Sequence, residues 1–206
     1  RLRLAVAPGV ASAQLSALLA RQRAEEPGVI LSFHEVAGDA LLEGLHEGRY
    51  DVGVSSHGGS DPALITHPLW TENMAVAMPP QFRLIDQEML TITDLQDYPI
   101  YRCQAETCSL LDEMLASLMP TAQKIIQRVT SFEMMALWVA AGYGIGVSAR
   151  SCIERAHGWG IAMRPLAEGP YEIVTYLQRP HAQADSVSER FERRALQVTG
   201  ADATTQ

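Results

Sequence analysis

The sequence predicts an α/β fold made of two units, each an open and mostly parallel sheet with helices packed against it. Short apolar segments alternate with segments whose leucines recur at helical spacing. Residues 1–92 follow the order strand, helix, strand, helix, strand, which favours a parallel sheet with right-handed crossovers. A second run of the same kind begins after a connector at residues 84–98, where we predict a short helix.

In the first unit, strands are predicted where apolar runs end at glycine, proline or polar turns. Leu15, Leu18 and Leu19 lie three and four residues apart, as on the buried face of a helix. The predicted strands are residues 2–7, 29–36 and 51–56, with extended segments over 64–80 that Pro68 interrupts, and the predicted helices are 11–25 and 39–48.

The second unit shows the same alternation. Leu111, Met114, Leu115 and Leu118 share one face of a predicted helix. The predicted strands are 99–103, 124–130, 145–149, 161–166 and 171–178, the predicted helices are 109–119, 131–142, 150–156 and 184–200, and 201–206 is expected to be a disordered tail.

Composition excludes several classes of function. The chain has 206 residues and a net charge of −8, whereas modules that bind nucleic acid normally present a basic face. No apolar run approaches the roughly 18 residues that span a bilayer. Three cysteines make a sparse, odd set, which disfavours a disulfide scaffold and favours the reducing cytoplasm. We therefore expect neither membrane insertion nor DNA binding by this part of the chain.

The segment VAAGYGIGVSA (139–149) contains a match to G-x-G-x-x-G/A, the dinucleotide-binding fingerprint. That fingerprint must follow a strand and open a helix. Here the helical spacing of Met135, Ala136 and Val139 comes first, and the apolar pair Ile145 and Val147 follows. The sequence therefore predicts a turn from a helix into a strand, with Gly142 just beyond the helix end.

The longer segment TSFEMMALWVAAGYGIGVSA (130–149) resembles the corresponding part of LysR-type transcriptional regulators. Four further segments resemble the family in the same order. They are RLAVAPG (3–9), LLEGLHEGRYDVGVSS (41–56), LTITDLQDYPIY (90–101) and RPL (164–166). The resemblance covers about residues 1–198.

The resemblance implies a fold like that of type 2 periplasmic binding proteins, with two Rossmann-like subdomains joined by a two-strand hinge. Subdomain I would span 1–92, with 171–200 returning to it, and subdomain II would span 93–170. A small effector would bind in the cleft and alter oligomer geometry and DNA binding. The DNA-binding winged helix-turn-helix would lie outside this chain. A homodimer would form through the first helix and second strand, and a tetramer in the full-length protein.

Ligands of open parallel sheets bind beyond the carboxyl ends of the strands, and helix N-termini favour anions. A small carboxylate is therefore the expected effector. Arg102 is the candidate carboxylate clamp, the alternative being a solvated loop cation, while Thr130 and Ser131 could instead cap a helix. Residue position and family resemblance together give these candidate contacts: Gly9, Val10, Gly38, Ser55, Ser56, Arg102, Cys103, Thr130, Ser131 and Phe132.

Glycine stands at positions 9 and 38, where relatives often carry Ser or Thr, so backbone N–H groups would bind the ligand there. His57 follows the third strand, but a position in a surface turn is favoured. Cys103 and Cys108 could form a redox pair, although the family's usual spacing is absent.

Other classes of function receive less support. The six histidines have no metal-like spacing, and no catalytic constellation is visible, so we expect no metal, no cofactor and no enzyme activity. The alternative function is a free-standing solute-binding protein of a transport system, with the same two-lobed fold.

Overall fold

A computed structural model describes residues 1–10, 12–118 and 126–202. The chain divides into two compact units. Unit 1 comprises Arg1–Thr71 and the residues from Val174 onward, and unit 2 comprises Glu72–Ile173. The chain therefore first leaves unit 1 after Thr71, about twenty residues before the predicted limit at residue 92. The predicted return at residue 171 lies three residues before Val174.

The described part of the chain holds nine strands, six α-helices and three short 3₁₀ turns. The strands are β1 (Leu2–Val6), β2 (Leu31–Glu35), β3 (Val52–Ser55), β4 (Leu64–Met78), β5 (Ile100–Cys103), β6 (Ile126–Val129), β7 (Ile145–Ala149), β8 (Ala162–Pro165) and β9 (Glu172–Pro180). The helices are α1 (Ala13–Glu25), α2 (Gly38–His46), α3 (Ser109–Leu118), α4 (Phe132–Ala140), α5 (Arg150–Arg155) and α6 (Val187–Asp202). The 3₁₀ turns are Arg83–Asp86, Thr93–Asp97 and His157–Trp159.

In unit 1 the strand order is β2-β1-β3-β9, followed by β4. β1 pairs in parallel with β2 and β3, whereas β9 is antiparallel to β3. Side chains of α1, α2 and α6 cover this sheet, and the fully buried ones include Leu18, Leu41 and Phe191. The carboxyl ends of the three parallel strands consequently lie at one edge of the sheet.

In unit 2 the order is β4-β7-β5-β6, and β8 pairs with β4. β5 is parallel to β6 and β7. Successive residues of β4 belong to separate cores: Val76 packs with Leu111 and Leu115 of α3, while Ala75 packs with Met135 of α4. This alternation is that of a strand whose side chains point to opposite faces of a sheet covered on both sides.

Both β4 and β9 run from one unit into the other, since the divisions at Thr71 and Val174 fall inside them. The fold class is therefore as predicted: two α/β units linked by two strands.

β4 continues through Pro68, where an interruption was predicted. In unit 1, β4 stands at the end of the strand order, and a proline is tolerated on such an edge because its missing N–H costs no ladder hydrogen bond.

Two further predicted elements differ from the structure, and several predicted positions cannot be compared with it. The short helix predicted within 84–98 is instead two 3₁₀ turns. α6 continues to Asp202, so the first two residues of the expected tail are helical. Positions 11, 119, 124–125 and 203–206 of the predicted elements lie outside the described residues.

The glycine-rich segment 139–149 is a helix-to-strand turn, as predicted. α4 ends at Ala140 and β7 begins at Ile145. Gly142 has φ 88°, a left-handed conformation that costs glycine least, and its N–H binds the Val139 carbonyl at 3.0 Å. The segment therefore closes a helix and is no phosphate cradle.

None of the helices in the described ranges combines the length and the apolar character needed to cross a bilayer.

Candidate functional site

The predicted contacts of unit 1 follow its parallel strands. Gly9 and Val10 come after β1, Gly38 opens α2 after β2, Ser55 ends β3 and Ser56 follows it. Because β1 is paired in parallel with β2 and β3, these positions share the carboxyl edge of the sheet. The Val10 side chain belongs to the buried core, so only its backbone remains for a ligand.

Side chains of β3 and β9 fix the segment that follows β3. The Ser55 hydroxyl accepts from the His57 N–H at 3.2 Å and donates to the His57 carbonyl at 3.4 Å. A Cβ on Gly58 would lie 2.3–2.6 Å from ring atoms of Tyr176, so that ring packs directly on the Gly58 backbone. The Ser55 hydroxyl, a predicted ligand contact, therefore holds His57 in place.

The His57 ring stands over the first residue of α2. A Cβ on Gly38 would lie 2.8 Å from His57 Nδ1 and 2.9 Å from Cε1. Only glycine leaves room for the imidazole at this distance. His57, assigned from the sequence to a surface turn, thus lies beside one of the predicted contacts, and its imidazole packs against Gly38 at the start of α2.

The predicted contacts of unit 2 follow β5 and β6. Cys103 ends β5, while Thr130, Ser131 and Phe132 follow β6. Ser131 is the N-cap of α4, where its hydroxyl accepts from the Met134 N–H at 3.2 Å. Thr130 is exposed, and Phe132 packs partly buried against the core. Direct ligand contact by these residues stays a prediction.

Arg102 is fully buried, with 0% of its surface exposed. Its Nη1 donates to Asp112 Oδ1 at 2.9 Å, and its Nη2 donates to the Glu106 carbonyl at 3.2 Å. Arg128 donates to the same Asp112 oxygen at 3.1 Å. In this conformation the guanidinium therefore fastens β5 to α3. Its Nε is buried and has no hydrogen-bond partner among the described residues, so contact between Arg102 and an effector carboxylate stays a prediction. The solvated-cation alternative is wrong, because the side chain is not solvated.

A buried carboxyl group lies at the same edge of unit 2. Glu106, in the loop after β5, has only 5% of its surface exposed. Its Oε1 accepts from the Ser148 hydroxyl at 2.6 Å and from the Ala149 N–H at 3.4 Å, which ties the loop to the carboxyl end of β7. Burial raises the pKa of Glu106, although Ser148, Ala149 and the Arg102 charge act in the opposite direction.

The three cysteines are free and buried. Burial, followed by the nearby Glu106 carboxyl, raises the pKa of the Cys103 thiol far above its usual value, and burial raises the pKa of Cys152 to about 11. Because the thiolate is the nucleophile, both thiols are poorly suited to redox exchange at neutral pH. Burial of both sulfur atoms and the raised pKa of Cys103 therefore give no support to a Cys103–Cys108 switch.

Sequence reasoning missed Glu106 and Ser148. The two residues are 42 positions apart, and neither belongs to a recognisable motif. Glu106 stands in the polar loop QAETC, where an acidic residue is ordinarily solvated. Only the parallel pairing of β5 with β7 places Ser148 beside it. Within the described ranges, no three His, Cys, Asp or Glu side chains are grouped closely enough to hold a metal ion.

The fold is that of a periplasmic-binding-protein-like module. Each of its two units carries polar groups at the carboxyl ends of its parallel strands. Residues 1–199 match the family model described as the LysR substrate binding domain. The chain therefore belongs to this family, the effector-binding domain of LysR-type transcriptional regulators.

Curated relatives agree with this assignment. The chain is 26% identical over 134 residues to the HTH-type transcriptional regulator AlsR of Bacillus subtilis (strain 168), covering 64% of this chain and 44% of AlsR. It is 27% identical over 148 residues to the regulatory protein NocR of Agrobacterium tumefaciens (strain T37), covering 71% of this chain and 49% of NocR. The matched region spans about half the length of these relatives.

Solved structures show the same fold. The effector-binding domain of QuiR in complex with shikimate superposes with a TM-score of 0.82 at 16% identity, covering 97% of each chain. The effector-binding domain of BenM with its effector benzoate gives a TM-score of 0.80 at 18% identity, covering 100% of this chain and 94% of that one. At such identities the likeness establishes the fold alone.

Proposed function

We propose that this chain is the ligand-sensing domain of a cytoplasmic LysR-type transcription factor and that its effector is a small anion, most simply a carboxylate. The proposal rests on family membership together with the placement of polar groups at the carboxyl edge of each sheet. Effector binding would shift the population of oligomer geometries, which would change DNA binding by the full-length protein.

The anionic character is supported by the ligands of structural neighbours, since shikimate and benzoate are both carboxylates. In this chain, α2 and α4 begin at the predicted contacts Gly38 and Phe132, and helix N-termini favour negative charge.

Thermal unfolding in the presence of small ligands tests this function. The panel contains benzoate, shikimate and other small carboxylates, each paired with its uncharged primary amide. A ligand at one hundred times its dissociation constant stabilises the folded state by about 2.7 kcal/mol, and for a domain of this size that raises Tm by roughly 5–10 °C. We expect at least one carboxylate, and not its amide, to produce such a shift. Equal shifts from a carboxylate and its amide would contradict an anionic effector.

We further propose that a second copy of the chain binds along α1 and β2. β2 is the last strand of the sheet, and Ile30 and Phe33 expose 71% and 51% of their surfaces there. A groove of about 530 Å³ lies beside them, lined by residues of α1 and β2 such as Leu19 and Leu31. Exposed apolar side chains on a sheet edge invite pairing with another chain, and a matching edge of a second copy would cover them.

A further inference from the structure

Glu106 holds one oxygen that no described group satisfies. Both hydrogen-bond donors reach Oε1, from Ser148 and Ala149. Oε2 is buried, and within the described ranges it has no hydrogen-bond partner. A buried polar atom without a partner costs free energy, so a group that completes its hydrogen bonding is stabilised there.

The two oxygens fit the two halves of a neutral carboxylic acid. A carbonyl oxygen accepts hydrogen bonds, as Oε1 does, whereas the hydroxyl oxygen carries the proton and needs an acceptor. Charged and titratable groups near Glu106 come from several elements: the charged Arg102 of β5 and Glu72 of β4, and the neutral thiols of Cys103 on β5 and Cys152 on α5. Burial is the largest influence on the Glu106 pKa and raises it, which favours the neutral form.

The location of Glu106 suits a ligand contact. The Glu106 loop follows β5, and its carboxyl group is fastened to the end of β7, which is parallel to β5. Ligands of parallel sheets bind at this edge. Arg102, the expected cation here, is already paired with Asp112.

We propose that Glu106, as a neutral carboxylic acid, donates a hydrogen bond from Oε2–H to an oxygen of the effector's carboxylate. This inference rests on the proposed anionic effector. The proton stays on Glu106, so no covalent step is involved. Because the side chain is almost fully buried, the ligand carboxylate is desolvated at the contact, and a hydrogen bond to a charged group is strong in such surroundings.

The proposal predicts binding that depends on pH. Glu106 must be protonated to donate, and its folded-state pKa is raised. Below that pKa the donor is present without cost. Above that pKa, Glu106 must take up a proton when the ligand binds. The affinity then falls with rising pH, by at most about tenfold for each pH unit. Affinity should therefore decrease as pH rises, over a range in which benzoate and shikimate stay ionised.

Three variants separate the explanations. Glu106→Gln replaces the O–H by an amide N–H that donates at every pH, so it should bind without the pH dependence. Glu106→Leu has no donor and should bind at least tenfold more weakly at low pH. Glu113→Gln, on the exposed face of α3, is the matched control and should behave as the wild type.

Isothermal titration with benzoate and shikimate, from about pH 5.5 to pH 8.5, measures these affinities. Wild-type affinity in Glu106→Leu, or a wild-type pH profile in Glu106→Gln, would overturn the inference and leave the proposed function standing. Absence of binding by every carboxylate in every variant and in the wild type would overturn both. Infrared difference spectra of the ligand-free wild type and Glu106→Gln add a check without ligand. A protonated-carboxyl C=O band at neutral pH supports the proposal, and its absence contradicts it.

Discussion

At the scale of single residues, the position of the His57 ring explains why position 38 is a glycine. The family resemblance implies Ser or Thr at position 38, and the sequence predicts that backbone N–H groups bind the ligand there. The structure places the His57 imidazole in the space that a side chain at position 38 would occupy. The two positions are coupled, because any side chain at position 38 would collide with the ring.

Gly38→Ser should therefore destabilise the chain by about 1–3 kcal/mol, as overpacking generally does. Urea unfolding measures the change. In the His57→Ala background the same substitution should cost much less, since the ring is gone. Gly28→Ser is the control: no atom lies within 4 Å of its added Cβ, so stability should change by less than about 1 kcal/mol. Equal losses with and without His57 would contradict the coupling.

The candidate site was predictable only in part, for reasons visible in particular residues. The strand ends that carry Gly9, Gly38 and Ser131 follow from local periodicity and capping patterns. The ion pair between Arg102 and Asp112 and the hydrogen bond between Glu106 and Ser148 form only once the chain has folded. Such pairings are long-range consequences of folding and leave no periodic signal in the sequence.

At the scale of elements, an ion pair attaches the last helix, α6, to strand β9 of the same unit. Arg179 on β9 donates twice to Glu192 on α6, at 2.5 and 3.1 Å, and both side chains are nearly buried. The periodicity of 184–200 predicted α6, but it did not indicate where the helix docks. The length of β4 was also missed, because Pro68 ordinarily signals a strand end and is tolerated only at an edge.

Arg179→Met should cost about 3–5 kcal/mol of unfolding free energy, since it leaves the Glu192 carboxylate buried without its main partner. Thermal or urea unfolding measures this loss. The double variant Arg179→Met/Glu192→Met should recover a large part of it, because no unpaired charge remains. Arg150→Met breaks an exposed pair with Glu154 and should change stability by less than about 1 kcal/mol. Additive losses in the double variant would contradict this account.

At the scale of the whole molecule, the proposed dimer makes a distinct prediction. Phe33→Lys places a charge on the exposed edge strand β2. It should weaken self-association at least tenfold, which corresponds to about 1.4 kcal/mol, without lowering the stability of the monomer. Sedimentation equilibrium measures the association. Leu137→Lys on α4 is the matched control, because Leu137 is 52% exposed, close to the 51% of Phe33. Equal effects of the two substitutions would contradict an interface at β2.

The return of the chain through β9 has a consequence for biosynthesis. β9 pairs with β3 and also neighbours β4, yet it is made roughly 120 residues after β3, which takes about 6–24 s at common rates of translation. Unit 2 is one continuous segment and can complete its sheet on the ribosome first. During that interval the nascent unit 1 presents an open strand edge at β3. We therefore expect chaperone association to be strongest with ribosome-bound chains that end before Val174.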